Sequence, residues 1–507
     1  MKVRLMYRDR DFDPDRKLPS NEQALIEDLQ LDVLFGAMAN GDRFLLQAAK
    51  QVVLSGFQND KETILYRQAI MKDCLLNGVI VRSIYDIAVE SIENRRKNWL
   101  GVLSHSPAGI LYDSVQLLGM FVGMLRKLRA LIDPCDDQFH SDGFISLLEM
   151  VKREFTEDYL FAIDDCLKEF QFGKGVLISA QLGENNEGAH YSLRKSLRQK
   201  QGWIERIFVP KELAYTFHIA DRDEAGFRAL SELRDQGTSR VASALAQAAD
   251  HITAFFDILR VELAFYIGCV NLRHQLDHCG SSVCFPVPEL PGSGRYSCGG
   301  LIDICLALNQ DKSVVGNDLA ADKKNLVIIT GANQGGKSTF LRAIGCAQLM
   351  MQCGMFVTAD YFGSDICRGL FTHYKREEDV SLNSGKFDEE LNRMSGIIDA
   401  LTPDSIVLFN ESFSATNEME GSEIAGQIVR ALLELRVKVF FVTHMHEFAH
   451  GFWVEGKNDG LFLRAERQSD GRRTFKLLPG EPLQTSFGKD LYNEIFMAED
   501  FEGAQRS

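Results

Sequence analysis

Apolar residues recur at Val241, Leu245, Ala249, Ile252, Phe256, Leu259, Leu263, Ile267 and Val270, in alternating steps of three and four. That spacing keeps one face of an α-helix apolar, and no proline falls between Pro210 and Pro286 to interrupt it. The pattern predicts an unbroken helix of about 35 to 40 residues, roughly 55 to 60 Å at the standard rise. Such a length exceeds what a compact domain needs and suggests an arm or lever. An earlier helical block is expected from about Ser20 to Leu131, through LDVLFGAMANGDRFLLQAAKQVVL and SIYDIAVESIENRRKNWLGVL. Between the two blocks, GVLISAQLGENNEGAHYSLRK joins a β-like apolar stretch to the turn-rich GENNEG, which predicts a small β-containing insertion near residues 175–210.

The texture changes at CFPVPELPGSGRYSCGG, residues 284–300, which holds three of the eleven prolines. Beyond it the chain alternates strand, glycine turn and helix, the pattern of an α/β domain. The expected organisation is therefore multidomain: an all-α region over 1–283 and an α/β domain over 284–507. A chain of 507 residues is too long for one ordinary core, and two to four structural units are the reasonable expectation. No internal repeat or low-complexity tract is evident.

Composition narrows the classes. Forty-five per cent hydrophobic and 25% charged residues match a soluble globular protein. The charged start MKVRLMYRDRDFDPDRKLPSNEQ has no apolar signal core, and no later run reaches the roughly 18 uninterrupted apolar residues of a membrane span. A cytoplasmic protein without a membrane partner is expected. The eleven cysteines are scattered, most in apolar surroundings, so reduced buried thiols are the expected state. His274, His278, Cys279, Cys284 and Cys298 lack the paired knuckles of a zinc site. The net charge of −15 argues against indiscriminate nucleic-acid binding, because phosphate contacts need concentrated Lys and Arg. One local patch stands out: SLRKSLRQKQGWIERIF sets Arg194, Lys195, Arg198 and Lys200 beside Trp203, a mixture able to pair with phosphates and pack on a sugar or base. Its bland alternative is a solvated helix face.

The candidate chemistry begins at NLVIITGANQGGKSTFLRAIG, which fits G-x-x-x-x-G-K-[ST] between an apolar strand, Leu326 to Ile329, and a helix, Thr339 to Met351. Glycines in such a loop let successive backbone N–H groups turn toward phosphates, and the helix after it adds its positive end. Gly331, Ala332, Asn333, Gln334, Gly335, Gly336, Lys337, Ser338 and Thr339 form the expected cradle for ATP. Lys337 would reach the β- and γ-phosphates, and Ser338 would ligate Mg²⁺. A second strand, SIVLFNE, ends at Glu411, placed to align an attacking water as general base. Asn410 stands immediately before it, where such sites carry an Asp. A third strand, VKVFFVTH, finishes at His444, whose imidazole could bond the γ-phosphate; His446 comes two residues later.

These residues resemble the MutS family of DNA mismatch-repair ATPases. TGANQGGKSTFLRAIGCAQLMMQCGMFVTAD resembles the family's T-G-P-N-M-G-G-K-S-T signature and its G-x-F-V-P-A continuation. FNESFSATNEMEGSEIA resembles D-E-x-G-R-G-T-S-T-x-D-G-x-x-I-A, with Thr416 and Gly421 in register. VTHMHEF is similar to A-T-H-Y-H-E-L, and FKLLPGEPLQTSFGKDL to the late P-G-x-x-x-x-S-Y-G segment. The resemblance implies an all-α core and lever region followed by a P-loop ATPase domain of ABC type, and a homodimer paired head to tail through the ATPase domains. In such a dimer a signature Ser of one subunit completes the other's site. Ser384, with Gly385 and Lys386, holds the corresponding place in order, and Asn333 would touch the γ-phosphate or that signature.

The implied function is an ATP-dependent clamp on mismatched or branched duplex DNA. The short charged N-terminus and the end of the chain about 20 residues after SFGKDL lead to the expectation of a short member without the mispair-recognition module and with a reduced C-terminal clasp. Asn410 keeps an oxygen acceptor but removes a negative charge, so weaker Mg²⁺ attraction and slow, switch-like turnover are expected. The alternative is a nucleotide-gated scaffold for a protein or ribosomal partner, to which the net charge gives weight.

Overall fold

A computed structural model describes residues 1–98, 106–135, 137–171, 176–183, 188–194, 218–310, 313–376, 385–456, 460–468 and 472–483. The chain is a mixed helix-and-sheet protein with substantial helical content. It forms two compact units: residues 1–3, 79–139 and 145–260, and residues 4–78, 140–144 and 261–507. The change of texture at 284 is thus not the division between compact units, since residues 4–78 and 261–283 share a unit with the sheet-bearing part of the chain.

The first unit is built on helices. Pro107–Ile132 starts with Ser106 accepting from Gly109 N at 3.2 Å and Pro107 in its first turn, a favoured opening because proline lacks the N–H that this position leaves unpaired. Leu111, Val115, Leu118, Val122 and Leu125 form its buried face, and Phe121 stacks on Phe256 with centroids 5.9 Å apart. Among the described residues this is the helix long and apolar enough by length and composition to cross a membrane. Strands β1 (Ile178–Leu182) and β2 (Gly188–Leu193) pair antiparallel, Ile178 opposite Leu193, within the stretch where the sequence predicts a β-containing insertion.

The long helix spans Glu224–His278, 55 residues, well beyond the predicted length. Its opening stretch EAGFRALSELRDQGTSR precedes the predicted stripe, and its apolar residues Phe227, Leu230 and Leu233 are exposed. Nothing there breaks a helix, and Gly237 admits a neighbour: a Cβ at that position would lie 2.6 Å from the Ile178 side chain.

The second unit carries two sheets. In the smaller, β3 (Val287–Glu289), β7 (Tyr361–Asp365), β4 (Tyr296–Leu301) and β5 (Asn317–Ala320) lie in that order. The larger runs β12 (Arg473–Pro479), β11 (Gly460–Arg467), β6 (Leu326–Gly331), β10 (Lys438–Val442), β9 (Ile406–Asn410), β8 (Leu370–Tyr374). From β11 to β8 every neighbouring pair is parallel, and β12 closes the edge antiparallel. Parallel strands covered on both faces read as continuous apolar runs, and IVLF of β9 and VFFV of β10 obey this.

Leu326, Ile328, Val407, Phe409, Val439 and Phe441 form one core with Val429 and Leu432 of helix Glu418–Glu434 and with Phe448 of helix His446–Glu455. Phe441 lies 4.8 Å from Phe409 and 4.6 Å from Phe448 between ring centroids. Burying each such ring contributes about 1.5–3 kcal/mol. On the other face, helix Lys337–Gln352 is almost wholly buried. It approaches so closely that a Cβ on Gly345 would meet Leu29 at 2.7 Å and Leu408 at 2.9 Å.

Candidate functional site

The loop between β6 and the buried helix is shaped by steric necessity. Gly331 has φ +112, and a Cβ there would lie 2.8 Å from Ala465 N. A Cβ on Gly335 would meet the Ala465 side chain at 2.7 Å and Ala332 O at 2.8 Å. Gly336, at φ 87, caps helix Lys337–Gln352 with no side-chain hydrogen bond, so the helix start turns its amides outward without a side-chain acceptor. Such amides favour an anion through both their N–H groups and the helix dipole.

Lys337 is the first residue of that helix and only 4% exposed. Its Nζ donates to the carbonyls of Gly331 at 2.9 Å and Ala332 at 3.0 Å. Burial lowers its pKa, the Glu411 carboxylate opposes that shift, and the Arg473 guanidinium adds to it. Next to it, the Ser338 hydroxyl donates to Asn410 Oδ1 at 2.8 Å.

Asn410 ends β9, and the chain then turns sharply. Glu411 sits at φ 53 and Phe413 at φ 61, left-handed conformations that a side chain adopts at a cost the surroundings must offset. Glu411 N donates to Val442 O at 2.9 Å, Ser414 Oγ donates to Glu411 O at 2.8 Å, and Phe413 is fully buried. Gly421 accommodates the turn, because a Cβ on it would lie 2.4 Å from Phe413 O.

A cavity of about 440 Å³ is lined by Asn333, Gln334, Gly335, Gly336, Lys337, Ser338, Thr339, Glu411 and His444. The structure therefore brings the loop, the carboxylate and one histidine of the sequence analysis to one place. Of the two histidines near β10, His444 faces this cavity, whereas His446 stacks on His450 at 5.1 Å. Ser338 and Asn410 offer two neutral oxygen donors side by side. They fit a magnesium ion, which takes few protein oxygens and fills its remaining positions with water and phosphate, and the pair leaves charge neutralisation to other groups.

Arg194 belongs to the first unit, its N donating to Leu177 O and its Nε to Ser179 Oγ, both at 2.8 Å. Lys195, Arg198, Lys200, Trp203 and Ser384 lie outside the described residues. Gly385 caps helix Lys386–Ala400 without a side-chain bond.

Two residues without a local signal adjoin the site. His373 on β8 is buried, with Nε2 3.0 Å from Glu390 O and Nδ1 2.8 Å from Ser412 Oγ. Burial pushes its pKa down to about 4, so it is neutral; the hydroxyl of Ser412, the residue after Glu411, donates to the His373 carbonyl. Arg473 on β12 donates to Gln334 Oε1 at 3.2 Å. Each is placed by strand pairing, which no motif encodes.

Residues 59–279 match the family model of the MutS2 N-terminal domain, and residues 327–490 match MutS domain V. The chain belongs to the MutS family. It is 32% identical over 468 residues to human MutS protein homolog 4, a match covering 84% of this chain and 46% of that protein. It is 26% identical over 474 residues to the DNA mismatch repair protein MutS of Desulfitobacterium hafniense, covering 84% of this chain and 52% of that one. The Prochlorococcus marinus protein of the same name is 33% identical over 345 residues, 66% of this chain and 37% of its own length. This MutS-family chain thus spans about half the length of the first two relatives.

Proposed function

We propose that this chain is an ATP-dependent switch protein: ATP joins two copies through their ATPase domains, the helical region before residue 284 acts as core and lever, and slow hydrolysis resets a clamp on duplex, mismatched or branched DNA. The observation that carries the reading is that the phosphate loop, Glu411 and His444 share one cavity beside the Ser338–Asn410 pair. The parallel sheet behind it, with the loop after β6 and the carboxylate after β9, supports a P-loop ATPase domain of ABC type.

In this reading Lys337 leaves the Gly331 and Ala332 carbonyls for the β- and γ-phosphates. Phosphate oxygens replace the carbonyls, and the loss of a buried position for its charge is offset by the anion. The amides of the loop and helix start hold the remaining phosphate oxygens. Glu411, fixed by the bond of its N–H to Val442, aligns a water and takes its proton. His444 bonds the γ-phosphate and so distinguishes the triphosphate from the diphosphate. Ser338 and Asn410 would hold Mg²⁺, which when bound offsets charge on the phosphates. A neutral Asn410 gives that ion no compensating charge, which favours slow turnover. A triphosphate that touches both copies stabilises the pair more than a diphosphate does, which couples chemistry to assembly.

A second reading, a nucleotide-gated scaffold for a protein or ribosomal partner, is favoured by the net charge of −15. Lys337→Ala tests what both readings share. Its ATP affinity is expected to fall at least about a hundredfold, as when a buried charge-assisted contact is lost, and ATP-induced dimerisation followed by sedimentation should disappear. If that variant pairs and binds its target as the wild type does, the switch reading is rejected. DNA affinity that falls as salt rises favours the clamp, and none even at low salt favours the scaffold.

A further inference from the structure

We propose that Arg473 is a phosphate-chain contact of this site, and that it supplies enough positive charge for ATP to bind with little dependence on divalent metal. The inference rests on reading the cavity as a triphosphate site.

The position of Arg473 is built, not incidental. Ala465 of β11 pairs with Gly331, and two residues further along β11 Arg467 pairs with Arg473 of β12, so the start of β12 overhangs the loop. Asn317 pins that strand from the other sheet: its Nδ2 donates to Phe475 O at 3.0 Å and its Oδ1 accepts from Leu477 N at 2.8 Å. Thr474 Oγ1 donates to Glu466 Oε2 at 2.6 Å.

With its backbone held, the Arg473 guanidinium reaches Gln334 at the tip of the loop, 3.2 Å away. Its Nε is shut off from solvent and makes no hydrogen bond among the described residues. A guanidinium presents five donors in a planar fork suited to phosphate oxygens, and a single neutral amide leaves most of that capacity unused. Its charge is also felt at Lys337.

The charge balance points the same way. Lys337 and a helix start line the cavity and Arg473 reaches its edge at Gln334, while Glu411 is the one carboxylate among the cavity-lining residues. Asn410, next to Ser338, contributes none. The Arg473 charge disfavours the charge on buried Lys337, an anion between them relieves that, and a polyphosphate is the anion this loop is shaped to take. Where a carboxylate would normally recruit a metal to neutralise the phosphates, this chain has a neutral amide on one side and an extra guanidinium on the other.

Isothermal titration calorimetry with ATP, in magnesium and in EDTA, tests the proposal on the full chain. Wild type is expected to bind in EDTA within about tenfold of its affinity in magnesium. Arg473→Gln should lose about 10- to 100-fold, the size of one charge-assisted contact, and lose more in EDTA than in magnesium. Arg473→Lys, which keeps charge but not the fork, should fall between. Melting temperatures without nucleotide should be the same for all three. The proposal is overturned if Arg473→Gln binds as wild type does in both conditions, if EDTA alone costs wild type more than about a hundredfold, or if the variant loses binding together with nucleotide-free stability. Absence of ATP binding by wild type in magnesium removes the underlying site reading itself. Loss of binding in Lys337→Ala but not in Arg473→Gln removes only this inference.

Discussion

Lys337 and Glu262 are both hidden from solvent, at 4% and 0% exposure, yet their surroundings treat them in opposite ways. Each oxygen of Glu262 holds a backbone donor: Leu5 N on Oε2 and Phe12 N on Oε1, both at 2.6 Å. Around it, the Tyr266 hydroxyl donates to Leu5 O at 2.5 Å and Arg67 Nε to Met6 O at 2.9 Å. Glu262 therefore fastens the N-terminal segment with partners that nothing need displace. Lys337 instead rests on two loop carbonyls that a phosphate would replace, beside amides with no side-chain acceptor. Burial alone does not mark a functional charge. A structural charge is saturated by the fold's own groups, whereas a functional one keeps replaceable partners in a cavity.

The largest expected effect is on the chemistry side. Glu411→Gln should slow single-turnover ATP hydrolysis by about 10²- to 10⁴-fold, the usual contribution of a positioned base, with the melting temperature held. Asn410→Asp should raise the rate by restoring charge beside Ser338. Equal, negligible rates in wild type and both variants would break the comparison at the cavity, because Glu411 would then be no more functional than Glu262.

The structural side should respond in stability instead. Glu262→Ala strands two buried N–H groups, each costing roughly 1 to 3 kcal/mol, so a denaturant titration should show a loss of about 2 to 6 kcal/mol. ATP affinity measured well below the transition should be retained. A variant as stable as wild type would mean that the Leu5 and Phe12 amides find other acceptors, and the contrast with Lys337 would lose its basis.

The same contrast explains which features are legible in the sequence. The phosphate loop is local: within a dozen residues, Gly331, Gly335 and Gly336 are imposed by approaches of under 3 Å or by positive φ, and the chain declares them. Gly421, forced by Phe413 O, is equally visible in the motif around Glu411. Glu262 meets partners some 250 residues away, and in sequence it is an ordinary acid in a helix. His373 and Arg473 reach the site only through strand order, β8 beside β9 and β12 beside β11, and the apolar runs of parallel strands do not say which is next to which. The long helix extends ahead of its predicted stripe through a stretch whose apolar residues, Phe227, Leu230 and Leu233, stay exposed rather than packed.

The smallest effect discriminates most finely, because two buried groups pull stability in opposite directions with pH. Burial lifts the Glu262 carboxyl to about 7; the Phe12 and Leu5 amides oppose that lift, and the Asp11 carboxylate adds to it. Unfolded, the group ionises near 4.3, so between those values the folded chain holds a proton that the unfolded chain has released. Its contribution is full below about pH 4.3 and is lost as pH rises through 7. His373 does the reverse: burial holds it at about 4 against an ordinary value near 6.5, so its contribution is present above about pH 6.5 and is lost as pH falls through 4. Each difference is worth on the order of 3 kcal/mol, and over the shared window the two slopes offset each other. Glu262→Gln, which cannot titrate, should therefore leave the His373 slope exposed. Between pH 5 and 7 its unfolding free energy, measured relative to wild type at each pH, should improve steadily as pH rises. A difference that stays constant across that range would show Glu262 ionised in the folded state throughout, and would place it with the charges that the fold merely tolerates rather than with those it holds neutral.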